Sequence, residues 1–269
     1  MLLNQDEQYR LHLGDCADVM AGMDEDCIDM TVTSPPYDNL RSYAKSELWC
    51  ANVWRAVLFQ LLRITKPGGV VVWVVGDATI NGSETGTSFR QALHAKDIGF
   101  RLHDTMIYKR EGPPLTHNRY EQKFEYMFIL SNGRPNTFNG IREECKYAGS
   151  SRSSITMRQD SDSLGDRSAT GCVQPTKLRG NVVEYAVGYN GNTTDKIAHK
   201  HPAIFPESLA RDHIITWSNK GDIVLDPFMG SGTSGKMAIE HGRKFIGIER
   251  VSEYYKIAQK RISALDTIA

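Results

Sequence analysis

The residues best suited to chemistry are Ser34-Pro35-Pro36-Tyr37, reached through Thr33 at the end of the apolar stretch Ile28 to Thr33. Two successive prolines fix φ and remove two backbone donors. The turn therefore presents acceptors, the Ser34 hydroxyl oxygen and the Pro35 carbonyl, followed by the aromatic face of Tyr37. That set suits an aromatic amine. The lone pair of an exocyclic NH2 is conjugated into its ring. Two acceptors on its hydrogens push the nitrogen toward sp3 and free the lone pair for in-line attack. An activated electrophile then needs orientation more than a strong base, which casts Ser34 as a polariser and not a nucleophile. Tyr37 can stack on a base swung out of a duplex. On these residues alone, an ordinary Pro-Pro turn after a strand is the plainer alternative.

A second constellation is Asp226-Pro227-Phe228-Met229-Gly230-Ser231-Gly232-Thr233, placed between an expected strand and an expected helix. Glycines there allow a tight turn and close approach of the backbone to a ligand beside a helix N-terminus. The next expected strand ends in Glu249, whose carboxylate can accept from both hydroxyls of a ribose. No Gly-Lys-Ser/Thr follows, so this is not a nucleotide-phosphate loop, and it is not a full G-x-G-x-x-G. An acid at the preceding strand end favours a ligand with an amino or sulfonium group over a pyrophosphate. S-adenosylmethionine carries both of those cations and a ribose, and Phe228 can lie against its methionine part. A glycine-rich turn flanked by two surface acids is the alternative. Asp15, at the end of another strand, can accept from an adenine amino group, although a lone acid there is more often a helix N-cap.

These residues must be held by regular elements. Strands are expected at Tyr9 to Gly14, Ile28 to Thr33, Val70 to Val75, Leu102 to Tyr108, Glu125 to Leu130, Asp222 to Leu225 and Phe245 to Ile248. Helices are expected at Trp49 to Ile64, stopped by Lys66-Pro67-Gly68-Gly69, and at Ser88 to Ile98, Glu207 to Trp217, Ser234 to His241 and Glu253 to Leu265. Asp38 to Lys45 and Glu111 to Gln122 read as loops. From Ile141 to Lys200 no period persists. Arg142, Lys146, Arg152, Arg158, Arg167, Lys177 and Arg179 are scattered among acids there, which suits a surface insertion or a DNA-contacting segment. Strands alternating with helices predict an open, mostly parallel α/β sheet.

The chain has 269 residues, 40% apolar and 24% charged, which fits a soluble globular protein with a sizeable core. Its 32 basic and 32 acidic residues cancel, so any nucleic-acid contact must come from local patches. The five cysteines include no C-x-x-C pair, which argues against a zinc site or a disulfide framework and for a reducing cytoplasm. The N-terminal residues lack the apolar stretch of a signal peptide. No run is long enough to span a membrane.

Together these motifs resemble the amino DNA methyltransferases, which methylate cytosine N4 or adenine N6. The family's catalytic motif, D/N/S-P-P-Y/F/W, is matched by Ser34, Pro35, Pro36 and Tyr37. Its cofactor motif, often D-P-F-x-G-S-G-T, is matched by Asp226, Pro227, Phe228, Gly230, Ser231, Gly232 and Thr233. His201, Pro202 and Phe205 look like the cofactor-pocket motif just upstream. Asp15 and Cys16 match the acidic adenine-side motif, and Glu249, followed by Arg250, matches the ribose-binding acid. The catalytic motif precedes the cofactor motif, the permuted order of the β class.

The resemblance implies a Rossmann-like, S-adenosylmethionine-dependent methyltransferase fold, mostly parallel with an antiparallel edge hairpin and a circularly permuted motif order. It implies a catalytic part over 1–140, a target-recognition insertion over 141–200 and a cofactor-binding part over 201–269. It further implies S-adenosylmethionine as cofactor, no metal, and double-stranded DNA as partner, with a homodimer and a cognate restriction endonuclease both compatible. Serine at position 34 looks more like the cytosine-N4 members, since many adenine-N6 members carry aspartate there. Methyltransferases acting on RNA or on protein amides use a similar Pro-Pro-aromatic loop but usually place the cofactor motif first.

Overall fold

The apolar periodicities close into a sheet covered on both faces. The computed structural model describes residues 3–4, 6–37, 49–110, 120–151, 155–158, 164–167, 172–188, 191–204 and 206–267. In chain order the elements are β1 (Tyr9–Leu13), α1 (Cys16–Ala21), β2 (Ile28–Thr33), α2 (Ala51–Ile64), β3 (Thr65–Val75), β4 (Thr79–Ile80), β5 (Ser83–Glu84), α3 (Thr87–Ile98), β6 (Arg101–Lys109) and β7 (Phe124–Ser131). Then come β8 (Arg142–Glu144), β9 (Ile155–Arg158), β10 (Leu164–Arg167), β11 (Thr176–Leu178), β12 (Val182–Glu184), a 3-10 turn (Lys196–Lys200), α4 (Glu207–Trp217), β13 (Ile223–Asp226), α5 (Thr233–Glu240), β14 (Lys244–Glu249) and α6 (Ser252–Ser263). The loop expected at Asp38 to Lys45 lies outside the described residues, as does most of that expected at Glu111 to Gln122. No helix among the described residues is long and apolar enough to cross a membrane.

The main sheet has the order β1-β14-β13-β2-β3-β7-β6-β12. The strands from β1 to β3 are parallel neighbours, β7 runs antiparallel to both β3 and β6, and β12 adds in parallel outside β6. The β6/β7 hairpin thus sits near one end of the sheet, with the unforeseen β12 beyond it. Val70 to Val75 is buried throughout, as a strand covered on both faces must be.

The Lys66-Pro67-Gly68-Gly69 turn departs from its expected place outside the strand. Thr65 already pairs with Ile28, the four residues buckle out, and pairing resumes at Val70–Met30. Asp29, the single residue opposite them, receives the Lys66 ammonium at 2.6 Å.

One apolar layer joins α1, α2 and α3 to the sheet. Trp54, Val57, Leu58, Leu61 and Ile64 of α2 recur at helical spacing and meet Trp73, Phe128 and Ile246. The other face packs α4, α5 and α6 through Leu209, Ile214, Met237, Ala258 and Ile262 against Met30, Val72, Val224 and Phe245. Each fully buried aliphatic side chain contributes about 1.5–3 kcal/mol.

The chain divides into Met1–Asn139 with Asn181–Ala269, and a smaller unit, Gly140–Gly180. The smaller unit holds two antiparallel pairs, β8/β11 and β9/β10. Within it, Arg142 donates to the Thr176 hydroxyl at 2.9 Å and Lys177 pairs with Glu143 at 3.0 Å. This unit is shorter than the 141–200 segment outlined from composition, because Asn181 to Lys200 belongs to the larger unit.

Candidate active site

The chemistry-bearing residues stand at the carboxyl ends of the parallel strands. Asp15 follows β1, Ser34 follows β2, Asp226 ends β13 and Glu249 ends β14. From β2 the chain crosses to β3 through α2 on one face. From β13 it crosses to β14 through α5 on the other face. The crevice between β2 and β13 is therefore a topological switch point, where open α/β sheets bind ligands. A cavity of about 520 Å3 opens there, within the usual range for small-molecule sites.

The two motifs meet at the switch point. The Thr33 hydroxyl donates to Asp226 Oδ1 at 2.6 Å, and the Ser234 hydroxyl donates to Oδ2 at 2.6 Å. The Phe228 amide adds a third bond to Oδ1 at 3.0 Å. Asp226 is fully buried, and that burial pushes its carboxyl up to about 6 despite these three donors. Its side chain does not line the cavity, so it does not face a ligand cation as its position in sequence suggested. It ties the catalytic turn, the cofactor loop and α5 together.

On the cavity wall stand Ser34, Pro36 and Tyr37 from the catalytic turn, while Pro35 is buried and is not part of the lining. Tyr37 donates its phenol to Glu125 Oε2 at 2.8 Å and lies 3.4 Å from the Val74 carbonyl. Its oxygen is 2.9 Å from Ser34 Oγ. Arg110 Nε stands 3.0 Å from Glu125 Oε1.

Pro227, Phe228, Gly230, Ser231 and Thr233 of the cofactor loop also line the wall. Gly230 is required: its φ is +49°, and a Cβ there would come within 2.9 Å of His201 Nε2. Gly232 is buried away from the cavity, where α6 crowds the loop and a Cβ would reach Ala258 at 3.0 Å. Glu249 accepts from the Gly230 amide at 3.0 Å and from the Val251 amide at 2.7 Å, one on each oxygen. Each carboxylate oxygen has two lone pairs, so both retain capacity for a ribose diol. Burial raises its pKa against the opposing pull of these backbone donors.

Asp15 lines the cavity and also caps α1, accepting from the Ala17 amide at 2.9 Å. Beside it, Cys16 is buried and its thiol is pushed up to about 12, chiefly by desolvation and then by Asp15, so it is not a nucleophile. His201, Pro202 and Arg250 complete the expected set on the wall, with the His201 ring edge-on to Tyr254 at 4.3 Å. Phe205 lies outside the described residues. Among the described residues, no group of three or more His, Cys, Asp or Glu is arranged to hold a metal.

Behind the loop, Arg261 has a side chain only 1% exposed. It donates to the Ser231 carbonyl at 2.7 Å and to Glu207 at 2.8 Å, and Lys236 reaches the same Glu207 at 3.0 Å. This ionic knot braces the cofactor loop against α4 and α6.

Trp49, Tyr108, Arg110, Glu125, Asn192 and Tyr254 also line the cavity and carry no motif. Glu125 had one available signal, a lone acid heading the otherwise apolar strand β7. Because β7 is antiparallel, its head lies at the same edge as the tails of β2 and β3.

Residues 28–260 match the family described as DNA methylase. The orphan methyltransferase M.BamHII of Bacillus amyloliquefaciens is 47% identical over 254 residues, 93% of this chain and 91% of that protein. Among solved structures, the PvuII DNA methyltransferase (cytosine-N4-specific) superposes with a TM-score of 0.69 at 18% identity, covering 95% of this chain and 86% of that one. TTHA0409 of Thermus thermophilus, complexed with S-adenosyl-L-methionine, gives 0.62 at 22% identity over 95% and 93%. These two likenesses concern the fold.

Proposed function

Because the chain belongs to the N4/N6 amino DNA methyltransferases, with S-adenosylmethionine as methyl donor, we propose that it methylates cytosine N4 in double-stranded DNA on a base turned out of the helix. One observation carries this reading: Ser34 and Tyr37 share a single cavity wall with Asp15, Phe228 and Glu249. An amine held at the first pair is adjacent to a nucleoside held at the second group.

The cavity's donor set suits the cofactor. Glu249 would hold the ribose hydroxyls, Asp15 the adenine amino group, and Phe228 the methionine side. Gly230 keeps the loop within reach of the ligand, since any side chain there would collide with His201. The cofactor supplies a methyl group already activated on a sulfonium, so the protein's contribution is placement. Ser34 Oγ, on the cavity wall, accepts from an amino hydrogen, and the Tyr37 ring carries the base. A base inside the duplex does not reach a walled cavity, so it must leave the stack. The methylated nitrogen is cationic and sheds its proton readily.

Serine at position 34 favours cytosine N4 over adenine N6. The PvuII enzyme, cytosine-N4-specific by name, has the same fold. Target selection falls to the segment 141–200. The test is incubation of the protein with labelled S-adenosylmethionine and unmodified genomic DNA, RNA or protein, followed by mass spectrometry of the labelled product. N4-methylcytosine is expected. N6-methyladenine would overturn the base assignment, and absence of label from DNA would overturn the whole reading.

A further inference from the structure

Ser34 can help an amine only if its oxygen, and not its proton, faces the amino group. A proton aimed at that nitrogen would engage the lone pair needed for attack. A serine hydroxyl rotates freely between these roles, so something must choose between them.

The choice is visible in the partners of Tyr37. Its phenol has one proton, and its hydroxyl neighbours include Glu125 Oε2 at 2.8 Å and the Val74 carbonyl at 3.4 Å. A carboxylate and a carbonyl only accept. The phenol proton is therefore committed to that side, and charge makes Glu125 the stronger claimant. The contact between Ser34 Oγ and Tyr37 Oη, 2.9 Å long, then runs one way: Ser34 donates and Tyr37 accepts. With its proton spent on Tyr37, Ser34 has lone pairs left for the cavity.

We propose that Glu125 is a positioning residue that acts through Tyr37 to hold Ser34 as an acceptor toward the target amino group. Arg110 Nε, 3.0 Å from the other carboxylate oxygen, forms an ion pair with it. This rests on the DNA amino-methylation reading above and adds to it a residue that no motif singles out.

The Glu125→Gln variant separates charge and polarity from shape. Arg110 claims the amide oxygen and leaves the NH2 facing Tyr37. The phenol proton then loses its charged acceptor, and Ser34 Oγ at 2.9 Å is nearer to it than the Val74 carbonyl at 3.4 Å, so the Ser34 acceptor becomes engaged. The experiment measures kcat and KM with unmodified genomic DNA, and affinity for S-adenosylhomocysteine, for wild type, Glu125→Gln, Tyr37→Phe and the double variant. Glu125→Gln should lower kcat by about tenfold or more while cofactor-product affinity and KM stay within about twofold.

In the Tyr37→Phe background, where no phenol remains to relay the effect, the same substitution should change kcat by less than about twofold. Equal losses in both backgrounds, wild-type kcat in Glu125→Gln, or a large loss of S-adenosylhomocysteine affinity would each overturn the proposal. Should Glu125→Gln fail to fold, Tyr37→Phe alone must still lower kcat by about tenfold with that affinity kept. A wild-type protein that labels no DNA would strike the reading of function instead, which keeps the two failures distinct.

Discussion

Asp226→Asn tests whether the acid between the two motifs is a brace that carries an electrostatic cost. The carboxyl is fully buried and its pKa is displaced from 3.8 to about 6, with desolvation outweighing three donors. A raised carboxyl pKa means that the folded chain binds this proton more tightly than the unfolded chain does. Its contribution to stability is therefore complete below about pH 4 and is lost as the pH climbs through 6. At about 1.4 kcal/mol per pH unit, the full span is worth about 3 kcal/mol. Of this, about 1.4 kcal/mol falls between pH 5 and pH 8.

Asparagine removes the charge and keeps the shape. Its oxygen can still accept from Thr33 and Phe228. Its NH2 can donate to Ser234, whose proton then turns to the Val32 carbonyl, 3.3 Å away. Urea unfolding of both proteins from pH 5 to pH 8 should show the variant gaining on the wild type by about 1.4 kcal/mol. Affinity for S-adenosylhomocysteine should be nearly unchanged, because Asp226 does not line the cavity. A pH-independent difference, or one of opposite sign, would refute the electrostatic reasoning. A tenfold loss of affinity would show that Asp226 meets the ligand after all.

Other substitutions separate the two halves of the site. Tyr37→Ala should reduce turnover by about a hundredfold or more, with S-adenosylhomocysteine affinity preserved by calorimetry. Glu249→Gln should do the reverse, weakening that affinity by about tenfold or more, since the amide keeps one accepting oxygen and forfeits at least one charge-assisted bond to the ribose, worth about 1.5–3 kcal/mol. Arg261→Met should cost about 3 kcal/mol or more in urea unfolding, because Lys236 would be the one cation left beside Glu207 and Asp195 among the described residues. A loss below about 1 kcal/mol would show that the ionic knot is dispensable.

Much of this is legible in the linear chain because the decisive signals are local. Apolar runs bounded by turn residues mark β2 at Ile28–Thr33 and α4 at Glu207–Trp217 to the residue. The prolines and glycines at the strand ends mark the loops that carry the site. The β4/β5 hairpin is absent from the expected strands although its signal is local: Asn81-Gly82 takes positive φ at both positions, as a two-residue hairpin turn requires. The strands between 140 and 184 are three or four residues long, too short for any period to show.

Other features depend on non-local partners. Nothing near Asp226 in sequence reveals that its carboxylate turns inward, because Thr33 reaches it from a neighbouring strand. Glu125 and Arg110 enter the site only because β7 runs antiparallel to β3.

The Thr33–Asp226 bond joins positions separated by 193 residues, and this bears on how the enzyme comes into being. Closing so large a loop is slow and costs entropy before any contact repays it. During synthesis β2 can pair early with β3, while its other edge waits for β13. Until that late strand arrives, the catalytic turn lacks the acid that anchors it, and the cofactor loop has not yet been made. The two proposed reactant sites are therefore joined only once β13 has been made.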